Sequence, residues 1–341
     1  MLGRKSTRAN DPPVDAIAPR RRHLSFGTWD DLAPGSVVQV CHPDWRGVRT
    51  VTYSFRTPVV ECDDLEFWGE ELASEIVARS PECVVIQGWP PGSTSFVRRL
   101  TGLGVKVKCV LHSSAAQHGG DAAEGGVADE ILGLLREGGL YGLGMAKDGL
   151  PEAFTAIGYP VSYVPNRAPD VPAVSKRDVG EGYNVGVFAD PYWRKNVTTQ
   201  LLAVGLIEGA RAHVMLRPGN AYLREMDIVE HGILDYDTFV SLQASVNLNL
   251  YVTLSECHPS TPQESYMTGV PCLFSRTSAV FRSDPVLWAM TTVEQHDNPA
   301  AIATAGLALY ENRDEATERA VEWIDEADRV GAQLWAEFIR K

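Results

Sequence analysis

The sequence lacks the features that mark several large classes of protein. No apolar run approaches the ~20 residues that a membrane span needs, and the first residues, MLGRKSTRANDPP, lack the apolar core of a signal peptide. The six cysteines lie far apart and none forms a Cys-x-x-Cys pair. We therefore expect reduced core thiols in a cytoplasmic protein, with no metal site.

Positive charge is also scarce. Lysine and arginine number 31 against 44 aspartates and glutamates, which gives a net charge of −13 and argues against nucleic acid as the main partner. The exception is residues 1–22, where six basic residues lie among Asn, Asp, Pro and Ser. This composition predicts a disordered tail. Such a tail could make weak contact with acidic lipid head groups, although a solvated tail without a role is the simpler interpretation.

The remaining chain is too long for one ordinary core and predicts two domains. Short apolar segments typical of buried strands alternate with helical patterns, which indicates an α/β fold of two Rossmann-like, doubly wound domains. We place the N-terminal domain at 23–166 and the C-terminal domain at 183–341. Residues 167–182 are rich in Pro, Ser and charge and predict a linker.

The stretch 245–281 organises the second domain. Apolar and polar residues alternate over 246–253, as in a strand, and the sequence Thr261-Pro262-Gln263-Glu264 predicts a capping box at a helix start. Glu264 could therefore serve only to cap its own helix. Alternatively, strand, loop and helix place free amides at the carboxyl edge of a parallel sheet, where phosphorylated ligands bind.

Two glutamates in this stretch carry a family resemblance. Glu256 and Glu264 have seven residues between them and are followed by Gly269-Val270-Pro271. This pattern resembles the E-x7-E motif of family 4 retaining glycosyltransferases, which have the GT-B fold. The resemblance implies metal-independent transfer from a nucleotide-diphosphate sugar in a cleft between two domains, with no separate cofactor. It also implies that Glu264 holds the ribose and that Glu256, the candidate catalytic residue, contacts the donor sugar.

The same resemblance implies a phosphate site. Amides around Ser260 and Thr261 would meet the diphosphate, and the loop Arg194-Lys195-Asn196 resembles the family's phosphate-binding lysine loop. Lys195 fits, but Ala189 stands where the family has an arginine. Arg194 or Arg217 could supply the missing charge, and the sequence does not decide between them. Exposed surface charge is the alternative interpretation of Arg194 and Lys195.

In the first domain, candidate residues follow predicted strands. A strand at 37–41 leads into a turn with Arg46, Gly47 and Arg49, which could meet phosphate or an acidic acceptor or could be surface charges. His112, just past another strand, resembles the family's histidine near the sugar, although a lone histidine is more often structural. The loop 119–126, GGDAAEGG, is predicted to be flexible enough to order over an acceptor.

Three alternatives stay open. Asp235-Tyr236-Asp237 could be a metal-binding D-x-D site, although acids before a helix also satisfy its dipole. The protein could also be a non-catalytic nucleotide-sugar-binding or scaffold protein on the same fold. Finally, the helix predicted over 315–339 could cross back onto the first domain, as in GT-B enzymes, or pack on its own domain. The acceptor, whether glycan, lipid, protein or small molecule, is not named by the sequence.

Overall fold

The computed structural model describes residues 22–25 and 33–341. The predicted tail at 1–22 therefore lies outside the described residues, except for Arg22, which begins a strand. Within the described ranges, none of the helices combines the length and the apolar character that crossing a bilayer requires.

Strands and helices alternate along the chain. The strands are β1 (Arg22–Ser25), β2 (Val37–Cys41), β3 (Val59–Cys62), β4 (Cys83–Gln87), β5 (Val107–Leu111), β6 (Gly142–Met145), β7 (Val161–Tyr163), β8 (Tyr183–Val187), β9 (Ala210–Val214), β10 (Ile228–Glu230), β11 (Leu248–Tyr251), β12 (Cys272–Ser275) and β13 (Thr292–Val293). The helices are α1 (Arg46–Ser54), α2 (Leu65–Val77), α3 (Ser93–Gly102), α4 (Ala115–Gly120), α5 (Ala122–Arg136), α6 (Leu150–Ala156), α7 (Val197–Val204), α8 (Tyr236–Gln243), α9 (Thr261–Met267), α10 (Pro285–Thr291), α11 (Pro299–Glu311) and α12 (Arg313–Arg340).

The described strands form two separate sheets. The first has the order β1-β3-β2-β4-β5-β6-β7 and the second β10-β9-β8-β11-β12-β13. All pairings are parallel except β1 with β3. The predicted fold class, α/β with two doubly wound domains, is confirmed. Each parallel sheet gathers the carboxyl ends of its strands at one edge, which is where such folds bind ligands.

Each sheet has its own apolar core. All five residues of β4 are buried, and so are all five of β5. Helices cover both faces of such strands, which explains why β4 begins with four apolar residues in a row rather than with an alternating pattern. The described part of the linker 167–182 contributes no helix or strand.

The long helix α12 spans both domains. Ala316, Ala320 and Ile324 in its first half belong to the core of the second domain. Trp335 and Phe338 in its last turns belong to a cluster on the first domain, where Trp335 stacks on Phe55 at 4.2 Å. Of the two alternatives left open for this helix, both hold in part: its first half packs on its own domain, and its last turns cross back onto the first.

Two local predictions were wrong. The segment 119–126 is not a flexible loop: it contains the end of α4 and the start of α5, and Asp121 caps α5 by accepting a hydrogen bond from the Ala123 amide at 2.9 Å. A Cβ on Gly125 would lie 2.8 Å from the His118 carbonyl oxygen, so this glycine permits close packing. The turn after β2 is also shorter than predicted, because α1 begins at Arg46 and contains Gly47 and Arg49.

Candidate active site

The loop after β8 is fastened to the end of β11. Asn196, at a left-handed φ of 55°, donates to the carbonyls of Val252 (3.1 Å) and His296 (2.6 Å). Gln200 donates to the Lys195 carbonyl at 2.8 Å and accepts from the Val252 amide at 2.8 Å. These bonds hold the two cations before Asn196 against the chain that follows β11.

Glu256 is the centre of a buried charge cluster there. Its carboxylate accepts from Lys195 Nζ at 2.6 Å and from Arg194 Nη1 at 3.2 and 3.3 Å. The Tyr251 hydroxyl accepts from Lys195 at 2.5 Å and donates to Glu256 at 3.0 Å. Burial would raise the pKa of Glu256, but the two cations outweigh it and hold the pKa below its ordinary value. The carboxylate is therefore ionised. The cluster of Glu256, Lys195 and Arg194 has two positive charges and one negative charge.

Glu264 lies in the same neighbourhood but in an uncharged setting. It is only 2 % exposed, in the first turn of α9, and accepts hydrogen bonds from the hydroxyls of Tyr236 (3.3 Å) and Ser260. Burial raises its pKa to about 7. Its charge acts on Tyr251, the residue that bonds both Lys195 and Glu256. Tyr251 thus lies within electrostatic reach of both glutamates.

The predicted capping box at Thr261 is wrong. The helix α9 begins one residue earlier than that motif requires, with Ser260 as its N-cap and no side-chain cap bond to a backbone amide. Thr261 is the first helical residue, and its carbonyl accepts from Gln243 at 3.1 Å. The Glu264 carboxylate therefore does not cap the helix through a backbone amide; the hydroxyls of Tyr236 and Ser260 hold it instead.

His112 lies across the gap, at the carboxyl end of β5. Its Nε2 contacts Gln87 Oε1 at 2.7 Å, and Asn166 lies on its other side. Burial lowers the pKa of His112 to about 4, so the imidazole is neutral. Asn166 bonds the His258 carbonyl at 2.5 Å, and Ser114 bonds Ser255 at 2.7 Å. These contacts join the edges of the two sheets near His112 and Glu256.

The three residues predicted on the acceptor or phosphate side have different surroundings and do not form one group. Arg46 reaches across the gap to Asp190 and also contacts Met215 Sδ at 3.2 Å. Arg49 instead pairs with Glu61 of its own domain at 2.6 Å. Gly47 has open space where a side chain would stand. Of the three, Arg46 is the residue that contacts the second domain.

The two arginines that could replace the missing phosphate-site charge also have different surroundings. Arg194 lies beside Lys195 and Glu256, and its buried Nε has no hydrogen-bond partner among the described residues. Arg217 donates to the carbonyls of Leu223 (2.7 Å) and Met226 (3.4 Å). Arg194 is therefore the better placed of the two.

The aspartates of the D-x-D alternative serve a helix. Asp235 caps α8, where it accepts from the amide of Thr238 at 2.9 Å and from its hydroxyl at 2.8 Å. Asp237 lies in the first turn of the same helix. Within 33–341 no group of three or more His, Cys, Asp or Glu side chains is arranged to hold a metal ion.

A cavity of about 730 Å³ opens beside His112 and Arg194, at the carboxyl edge of the first sheet. Its walls include Trp45 and Trp89, which the sequence analysis did not single out. Tyr251 was missed as well, although it ends the strand that leads to Glu256. A tyrosine or tryptophan just past a predicted strand, next to a candidate carboxylate or histidine, is the signal that could have found them.

This arrangement of two facing doubly wound domains and a returning terminal helix is the GT-B fold. No family model matches the sequence, and no curated protein matches it. Solved structures do resemble it. The apo structure of OtsA has a TM-score of 0.62 at 9 % identity over 90 % of this chain and 99 % of that chain. A UDP-forming α,α-trehalose-phosphate synthase from Burkholderia xenovorans in complex with glucose-6-phosphate has a TM-score of 0.61 at 10 % identity over 89 % and 99 %.

A third similar structure is trehalose-6-phosphate from E. coli bound with UDP-2-fluoro glucose, with a TM-score of 0.60 at 9 % identity over 90 % of this chain and 99 % of that chain. At these identities the likeness establishes the fold alone. The expected GT-B architecture is confirmed, whereas membership of family 4 is not shown.

Proposed function

We propose that this protein is a glycosyltransferase that moves a sugar from a nucleotide-diphosphate sugar to an acceptor. The observation that carries the proposal is the buried cluster of Glu256, Lys195 and Arg194, with Glu264 beside it, at the carboxyl edge of the second sheet. Buried charge at that edge of a doubly wound domain is typical of a ligand site, because burying ions costs stability that core packing alone would not require.

The cations have a clear role in such a reaction. Transfer of the sugar leaves a diphosphate whose developing charge must be stabilised. Lys195 and Arg194 offer two positive charges against the single carboxylate of Glu256. A bound diphosphate would draw both cations toward its oxygens and weaken their bonds to Glu256. That exchange would turn the carboxylate toward the donor sugar, where it could oppose positive charge at the anomeric carbon.

Glu264 suits the ribose. A carboxylate accepts two hydrogen bonds, and the two hydroxyls of a ribose supply two donors. The Glu264 side chain is buried beside Tyr236, with a pKa raised to about 7 by burial. Two ribose donors would stabilise its ionised form beyond what the Tyr236 and Ser260 hydroxyls provide. The retaining, metal-independent chemistry of family 4 enzymes is part of the proposal and rests on the E-x7-E pattern.

The non-catalytic alternative keeps one observation in its favour. Ala189 stands where the resemblance calls for an arginine, and Asp190 next to it pairs with Arg46 across the gap. Loss of a phosphate-site cation would weaken the stabilisation of the leaving group more than it weakens binding of the donor. A protein that binds nucleotide sugars without turning them over is the outcome that this alternative predicts.

A donor panel tests the function directly. Nucleotide sugars with different bases, UDP-glucose first, are screened for thermal stabilisation, because a ligand that binds only the folded state raises the melting temperature. The stabilising donor is then incubated with protein and EDTA, and release of the nucleoside diphosphate is measured. Release in EDTA supports metal-independent transfer chemistry. Stabilisation without release across the whole panel would favour the non-catalytic protein, and release abolished by EDTA would favour the D-x-D alternative.

The Glu256→Gln variant separates binding from turnover. Because the neutral amide cannot oppose charge at the anomeric carbon, we expect turnover to fall by about 100-fold or more. We expect nucleotide affinity to stay equal or to increase, since Lys195 and Arg194 lose a competing carboxylate. Titration calorimetry with the nucleoside diphosphate and the release assay measure the two effects. Turnover close to that of the unchanged protein would refute the role of Glu256.

A further inference from the structure

The cavity beside His112 has the size and position of an acceptor site. At about 730 Å³ it falls within the roughly 300–1,000 Å³ typical of small-molecule sites. Its walls come from helices α1 to α5 and from the chain after β4 and β5, all in the first domain. Arg194 is the one lining residue from the second domain, so the cavity opens toward the donor side.

Negative charge dominates the walls of this cavity. Four carboxylates line it, from Glu66, Asp121, Glu124 and Glu130, against the single guanidinium of Arg194. That guanidinium is already engaged by Glu256 at 3.2 Å. Burial raises the pKa of Glu124, and Arg194 offsets this only in part. The cavity therefore has a negative electrostatic potential, which would repel the negative charge of a phosphorylated ligand.

The one feature of the walls that could hold an anion is already occupied. The N-terminal end of α3, at Gly92 to Ser95, faces the cavity and offers amides and hydroxyls. Glu130 lies there instead: its carboxylate accepts from Thr94 Oγ1 at 2.7 Å and from Trp89 Nε1 at 3.2 Å. A carboxylate of the protein itself thus already engages the Thr94 hydroxyl beside this helix end.

Aromatic rings complete the walls. Trp45 is 36 % exposed and stacks on His42 with ring centroids 5.0 Å apart. Gly88, at a φ of 71°, brings its backbone against that indole, since a Cβ there would lie 3.0 Å from the Trp45 ring. Trp89 is fixed by its bond to Glu130. Tryptophan faces beside carboxylates are the surroundings in which proteins bind ammonium groups and polyhydroxylated rings.

We infer that the acceptor carries hydroxyl and amino groups and no phosphate, as an amino sugar or aminocyclitol does, and that it stacks on Trp45 with its ammonium group toward Glu124 and Glu66. The inference rests on the proposed function, because it takes the cavity as the acceptor side of a transferase. An acceptor without phosphate would distinguish this chain from the Burkholderia xenovorans synthase, whose solved complex contains glucose-6-phosphate.

Three probes of one ring but different charge test the inference on the full chain. Glucosamine, glucose and glucose 6-phosphate are titrated in saturation-transfer NMR, with the nucleoside diphosphate present to fill the donor side. We expect glucosamine to bind about tenfold more tightly than glucose, and glucose 6-phosphate to bind most weakly. Tighter binding of the phosphate ester, or glucosamine that binds no better than glucose, overturns the inference.

Variants locate the effect. We expect Glu124→Gln and Glu66→Gln each to reduce the preference for glucosamine over glucose by about threefold, with little change for glucose. Glu318→Gln is the matched control. It changes an exposed acid on α12 that does not line the cavity, and it should leave the preference unchanged. An unchanged preference in both cavity variants would also overturn the inference.

The outcome distinguishes this inference from the proposed function. Glucosamine binding in the expected order, without release of nucleoside diphosphate from any donor, would keep the cavity assignment and refute the transferase. Release from a donor that glucose 6-phosphate accelerates more than glucosamine does would keep the transferase and overturn the inference.

Discussion

At the scale of single residues, Glu264 links the site to the stability of the protein. Burial raises the pKa of its carboxyl group to about 7, from an ordinary value near 4.5. Between these two pH values the folded protein keeps a proton that the unfolded chain has lost. The stabilisation that this group provides is therefore complete below about pH 4, falls as the pH rises and is gone above about pH 7.

Replacing Glu264 with glutamine should remove this pH dependence. A rise of this pKa from 4.5 to about 7 corresponds to about 3 kcal/mol. We therefore expect Glu264→Gln to exceed the unchanged protein in free energy of unfolding by up to about 3 kcal/mol at pH 8, and by less than about 1 kcal/mol at pH 5. Urea unfolding at the two pH values measures the difference. The exposed control Glu318→Gln should show no such trend, and an equal effect of Glu264→Gln at both pH values would contradict the prediction.

The sequence predicted which residues form the charge cluster, but it did not predict which of them pair with each other. Lys195, Glu256 and Glu264 follow recognisable strand ends, so their meeting at one sheet edge could be expected. The pairing of Lys195 with Glu256 could not, because it depends on how Asn196 and Gln200 fasten one loop to another. The prediction at Thr261 missed the helix start by one residue, because a capping motif describes only a local preference and helix ends vary by a residue or two.

At the scale of elements, a buried lysine holds the end of α12. Lys108 on β5 is 1 % exposed, and its ammonium group donates to the carbonyls of Phe338 and, at 2.7 Å, Ile339. It also lies 5.1 Å from the centre of the Phe338 ring. Carbonyls in the last turn of a helix have no partner within the helix, and a cation there is favoured by the helix dipole.

Removing that cation should loosen the end of the helix. We expect Lys108→Met to lower the free energy of unfolding by about 1–3 kcal/mol, because two charge-assisted hydrogen bonds are lost. Hydrogen exchange should accelerate over 330–341 and stay unchanged over 313–324. Lys106→Met is the matched control, since Lys106 is exposed and contacts the same Tyr141 ring as Lys108. Equal effects of the two variants would show that the bonds to α12 do not hold it.

Composition misled the prediction of elements in one place. The run 119–126 is rich in glycine, and this composition predicts a flexible loop. In the structure it forms parts of α4 and α5. The signals for helices were present, since Ser114 with Gln117 forms a capping box and Asp121 caps α5. Gly120 and Gly125 allow close approach to Trp193 and to the His118 carbonyl. Those contacts are tertiary and cannot be read from the local sequence.

At the scale of the whole molecule, one carboxylate joins three parts of the chain. Asp328 on α12 accepts from Arg167 at 2.7 and 3.0 Å, from Arg56 of the first domain at 3.3 Å and from the Ala168 amide at 3.1 Å. Arg167 lies in the segment that the sequence predicts as a linker. A Cβ at Gly331, one turn along α12, would lie at an ordinary contact distance of 3.4 Å from Arg167 Cγ. The bonds to Asp328 thus fasten that segment to the helix that spans both domains.

The domains should therefore unfold together only while Asp328 is charged. Burial would raise the pKa of Asp328, but Arg167 and Arg56 outweigh it and hold the pKa below its ordinary value. The stabilisation is present above about pH 4 and is lost as the pH falls further.

We expect Asp328→Asn to cost about 2–3 kcal/mol at pH 7, less than a fully buried pair because Asp328 and Arg56 are partly exposed. In calorimetry we expect one transition for the unchanged protein and two for this variant, since the ion pairs that fasten the linker to α12 are lost and only the apolar contacts of α12 still join the two cores. Asp325→Asn, an exposed acid on the same helix, should keep one transition and nearly full stability. A single transition at the unchanged temperature in Asp328→Asn would mean that the apolar contacts of α12 suffice to couple the domains without this ion pair.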